Sequence, residues 1–61
     1  MANLTAEELH ALEDTLNCTQ NLVKKFNTYA SVAQDPQIKK ACQQSAKQHR
    51  KHFETLMGYL N

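Results

Sequence analysis

Two apolar seams with helical spacing, parted by a single Asp35-Pro36 step, leave this chain very few ways to fold. Leu9, Leu12, Leu16, Thr19, Val23, Phe26, Ala30 and Ala33 recur at intervals of three and four. Ile38, Cys42, Ser45, His49, His52, Leu56 and Tyr59 continue the alternation after Pro36. Such spacing keeps each set on one face of an α-helix. Thr5 and Glu8 read as a capping box, each side chain satisfying the other residue's backbone amide, and Glu7 and Glu8 suit the positive end of a helix. Asp35 is a good N-cap, and Pro36 in the first helical position has no amide hydrogen to leave unpaired. One helix is therefore predicted over about 6–33 and a second over about 36–59, with Gly58 loosening the last turn. So short a connection makes them antiparallel neighbours. The expected fold is all-α: one two-helix hairpin domain spanning residues 1–61.

A hairpin gives each helix only one partner and leaves much of its apolar stripe wet. At 61 residues, a chain buries only about 60% of its unfolded surface and is marginal alone. Dimerisation into a four-helix bundle, or a larger homo-oligomer, is the first expectation. Leu9, Leu12, Leu16, Val23, Phe26, Ile38, Phe53, Leu56 and Leu60 are the expected core and dimer interface. Charge is segregated: Glu7, Glu8, Glu13 and Asp14 mark the open end, whereas Lys24, Lys25, Lys39, Lys40, Lys47, Arg50 and Lys51 mark the turn end and middle. Two hairpins packed head to tail about a two-fold axis set acidic end against basic end. The plainer alternative is a set of solvated helix faces, since single surface charges contribute little.

The net charge of +1 commits the chain to no nucleic acid. No segment approaches the roughly 20 apolar residues that span a membrane. The stretch from Met1 to Thr5 has neither a basic start nor an apolar run, so no signal peptide and a cytosolic location are expected. Cys18 and Cys42 are the two cysteines. If the chain folds back symmetrically at Asp35, positions whose numbers sum to about 69 lie level, and Cys18 stands roughly 14 Å from Cys42 along the axis. A disulfide needs Cα atoms within about 7 Å, so two free thiols are expected.

Each seam is apolar except in its middle, where Thr19 faces the stretch holding Ser45, His49 and His52. His49 and His52 are three residues apart and share a helix face, the usual way for a helix to offer two ligands to one metal. Two imidazoles do not close a site, but a two-fold dimer brings four together, suited to zinc or another divalent ion. Otherwise both histidines are part-buried and hydrogen-bonded to Thr19, Ser45 or water, and Thr19 bonds back to its own helix. His10 is assigned only a surface role, and Tyr29 and Tyr59 flank the apolar faces. The chain has one glycine and therefore no phosphate-cradling loop, and the inner face carries no carboxylate pair for acid–base work. No enzymatic activity is expected.

The polar belt resembles that of the ferritin-like four-helix bundles. In rubrerythrin-type members one helix carries a glutamate ligand seven residues before a tyrosine, and the next carries Glu-x-x-His. Thr19 to Phe26 looks like the first motif, with Thr19 at the glutamate and Phe26 at the tyrosine; His49-Arg50-Lys51-His52 looks like the second, with His49 at the glutamate. The whole chain more closely resembles the short spore-coat proteins of clostridia related to Coat F. The likeness is carried by Leu22 to Phe26, Tyr29-Ala30, Asp35 to Lys39 and Gln48 to Phe53, and covers roughly residues 4–60. It implies a ferritin-like bundle of two hairpins, a sporulating source, a mother-cell and spore-coat location, other coat proteins as partners, and a structural role. Thr19 supplies no carboxylate and only His52 matches a ferritin-like ligand, so di-iron chemistry is not implied. Three functions follow as expectations: a self-assembling coat-type protein; a small metal-binding protein using His49 and His52 across a dimer; and an adaptor that pairs its exposed stripe with a partner helix.

Overall fold

A computed structural model describes residues 3–60. Helix α1 runs Ala6–Val32 and helix α2 runs Pro36–Met57, followed by a 3₁₀ turn over Gly58–Leu60. The two helices pack against each other as a hairpin measuring 45 × 16 × 11 Å. Among the described residues no helix is long and apolar enough to cross a membrane.

Each boundary has a local cause. The capping box is formed: the Thr5 amide donates to Glu8 Oε1 at 3.0 Å and the Glu8 amide donates to Thr5 Oγ1 at 3.1 Å. At the other end of α1 the Ala33 amide donates to the Tyr29 carbonyl at 2.9 Å, and the chain then leaves the helix because Ala33 is extended (φ −67°, ψ 131°). Asp35 caps α2 by accepting from the Gln37 and Ile38 amides at 2.8 and 3.2 Å, with Pro36 at the start of the helix. Gly58 caps α2 with right-handed helical angles, and the chain continues as a 3₁₀ turn.

The cap makes a pH prediction. The Thr5 amide, and then the Thr5 hydroxyl, hold the Glu8 carboxyl below its ordinary value. A folded-state pKa below the unfolded one gives stabilisation that is present above the unfolded value and lost as pH falls through the folded value. The first turn of α1 is therefore expected to fray below about pH 5. Glu8→Gln, which keeps an acceptor but does not titrate, removes that dependence. Amide hydrogen exchange of residues 7–10 across the pH range reads both effects.

The register differs from a fold-back symmetrical about Asp35. Phe26 stacks on His49, where that symmetry puts position 43. Side chains lean toward the N-terminus of their own helix, so in an antiparallel pair they lean in opposite directions, which accounts for part of the offset. The connection supplies the rest. Ala33 and Asp35 are both extended, so the connection is an open linker rather than a tight turn. Ile38, near the start of α2, is 57% exposed, and the first buried residue of α1 is Leu16. Cys18 and Cys42 are free, with Cys18 exposed and Cys42 half-buried.

The core between the helices is thin. Leu16, Ala30 and Ala46 are the buried apolar residues, and Thr19 is buried beside them. Leu12, Val23, Phe26, Phe53 and Leu56 are half-buried, and no large side chain among the described residues is fully enclosed. Leu9, Tyr29, Val32, Ile38, Met57, Tyr59 and Leu60 stand exposed.

Candidate functional site

The middle of the hairpin is where polar residues occupy seam positions. Thr19 is 7% exposed, yet its hydroxyl makes no bond across the seam; it donates to the Thr15 carbonyl of its own helix at 2.8 Å. A threonine satisfied in this way is content in a helix interior. Thr15 and Thr55 do the same, donating to the Ala11 and Lys51 carbonyls at 2.7 and 3.0 Å. No buried side-chain oxygen or nitrogen among the described residues lacks a partner.

The histidines are held differently. The His49 ring lies nearly parallel to the Phe26 ring, with an interplanar angle of 8° and centroids 5.5 Å apart, and Tyr29 meets Phe26 edge-on at 6.2 Å. Phe26 thus fixes the plane of His49 from across the seam. His52 is exposed, its ring 6.0 Å from that of His49 and nearly perpendicular to it. Zinc–nitrogen bonds of about 2.0–2.1 Å put two imidazoles sharing one ion roughly 5–6 Å apart by centroid, so the pair lies at the outer edge of that range. Among the described residues no group of three or more His, Cys, Asp or Glu is placed to hold a metal ion. Beside His49 and His52, the described residues of one hairpin place no third ligand-type side chain.

Shallow grooves run along both sides of the seam, and their chemistry differs. One side is lined by Thr15, Thr19, His52, Thr55 and Leu56. The other holds Gln20, Val23, Asn27 and Phe53 together with Lys24, Lys47, Arg50 and Glu54. The structure therefore brings Thr19 and His52 into one groove. Ser45 is half-buried nearby in sequence on α2 and does not line that groove, and His49 is turned to Phe26. Thr15 and Thr55 complete the groove without having been expected there. Their spacing, four residues before Thr19 and three after His52, is the signal that places them on this face. No protein-family model, curated protein or solved structure matches this chain.

Proposed function

We propose that this chain is a structural, self-associating protein of the coat type, whose hairpin is the half-unit of a ferritin-like four-helix bundle and which does no catalysis. The observation that carries the reading is the mismatch between apolar content and burial. Among the described residues only three apolar ones are buried, whereas seven large apolar side chains stand exposed, among them Val32 at 69% and Ile38 at 57%. A free hairpin with so thin a core lacks the area that stabilises a small domain. Covering the exposed stripe with a second hairpin supplies it. The polar belt fits a structural part: each threonine in it is satisfied by its own helix, and His49 is held by an aromatic stack. The coat role itself draws on the likeness of residues 4–60 to the short clostridial spore-coat proteins, and with it go a mother-cell origin and other coat proteins as partners.

A second reading is favoured by the His49 and His52 rings, 6.0 Å apart on one helix face. Here two subunits hold zinc or a similar ion through four imidazoles. One sample separates the two. The coat-type reading expects a metal-free, folded dimer or larger assembly, measured by solution mass and elemental analysis together. The metal reading expects about one ion per dimer, a melting temperature lowered by a chelator, and loss of both properties in His52→Ala. A folded monomer without metal contradicts both readings and leaves the adaptor that gains helicity on meeting a partner helix.

A further inference from the structure

We infer that the hairpin docks a second copy of itself through one particular side, the uncharged groove of Thr15, Thr19, His52, Thr55 and Leu56, and keeps the opposite groove in water. The inference rests on the self-association reading and adds to it which face is used and how the copies are arranged.

The two sides of the seam differ in charge. On α2 the stripe flanking the uncharged groove is Ser45, Gln48, His52, Thr55 and Tyr59, at intervals of three and four, with no Asp, Glu, Lys or Arg. On α1 the matching stripe is Thr15, Cys18, Leu22, Lys25 and Tyr29, with Lys25 its one charge. The other groove carries Lys24, Lys47, Arg50 and Glu54. Closing that side on a second copy buries four charged groups from each hairpin and brings like charges together about the axis, which is costly.

The second copy fits by size and by charge. The broad face measures 45 Å by 16 Å, or roughly 700 Å² in projection, close to the about 800 Å² per partner of a standard stable interface. Thr19 is the central residue of α1, and His52 shares its groove. A two-fold axis through that point is isologous. It sets the acidic turns of Glu7, Glu8, Glu13 and Asp14 against the turn end of the other copy, where Lys24, Lys25, Lys39 and Lys40 lie. It also brings Tyr29, near the turn, level with the other copy's Tyr59, near the open end. Both tyrosines are exposed in the single hairpin, at 47% and 52%. A head-to-tail pair thus covers both.

Matched charge insertions test the face. Thr55→Lys places a cation in the uncharged groove close to the axis, where the lysines of the two copies face each other. Gln20→Lys places the same charge in the opposite groove. Both positions are exposed, and lysine is a better helix former than threonine and about equal to glutamine, so neither substitution damages the hairpin. Helicity at high concentration checks that. In sedimentation equilibrium, Thr55→Lys is expected to weaken the dimer at least about tenfold and Gln20→Lys by less than about threefold. Equal weakening by both, or greater weakening by Gln20→Lys, overturns the assignment of the face while leaving self-association standing. A wild-type protein that is monomeric throughout overturns self-association and the face with it.

Discussion

Replacing Phe26 by alanine is expected to destabilise the assembled protein by about 3 kcal/mol, the usual cost of emptying a core phenylalanine site. Phe26 occupies the middle of the α1 seam, half-buried in the single hairpin, and contacts two aromatic groups. His49 stacks on its face at 5.5 Å and Tyr29 packs on its edge at 6.2 Å. Removing the ring therefore deletes apolar burial, opens a cavity between the helices, and frees the His49 imidazole from the plane that fixes it. Leucine at this position, which keeps most of the volume but not the stack, is expected to recover most of the loss. Urea unfolding of the three proteins at one concentration reads the differences. A loss below about 1 kcal/mol for Phe26→Ala means that the ring is peripheral and the pairing of the seams is not the one described.

Enlarging a buried alanine tests the same packing from the opposite direction. Ala46 and Ala30 are 5% and 6% exposed, the first among the most enclosed of the described residues. Small residues at these places let α1 and α2 approach closely in the half of the hairpin nearer the turn. Ala46→Leu inserts three carbons at a position that is only 5% exposed between the helices. The expected cost is about 1–3 kcal/mol, the range for overpacking, even though leucine is a strong helix former and adds apolar surface. Thermal unfolding checks the sign. A stabilised Ala46→Leu protein means that the site has spare volume and that the helices lie further apart than the burial of Ala46 indicates.

The hairpin is legible in the sequence because its signals are local and agree. Thr5 with Glu8, Asp35 with Pro36, and the unbroken three-and-four spacing each specify the backbone within a few residues, and every one acts in the structure. The pairing of one helix on the other is less local. It depends on the linker between the helices: Asp35 is held extended by the proline that follows it, but nothing in Ala33 or Gln34 sets how α2 is placed against α1. Hence the shift that brings Phe26 onto His49, and the exposure of Ile38, are structural findings rather than sequence readings.

The candidate site divides along the same line. That Thr19 and His52 meet follows from their seam spacing, whereas His49 stacks on Phe26 across the seam and Ser45 does not line the groove of Thr19 and His52. Thr19 satisfies itself within its own helix, so a buried hydroxyl read from sequence as part of a polar belt forms no network across the seam. The chemical difference between the two grooves was present in the spacing of Lys24, Lys47, Arg50 and Glu54. It acquires meaning only when the hairpin shows that these four share one side.

The central claim is that this hairpin needs another hairpin to complete its core. The most direct measurement follows mass by sedimentation and helicity by circular dichroism through the same dilution series, over at least about a hundredfold in concentration. Coupled folding and association make stability fall by about 1.4 kcal/mol for each tenfold dilution, so mass and helicity are expected to drop together. A chain that stays fully helical as a monomer at every concentration, with a melting temperature independent of dilution, contradicts the account.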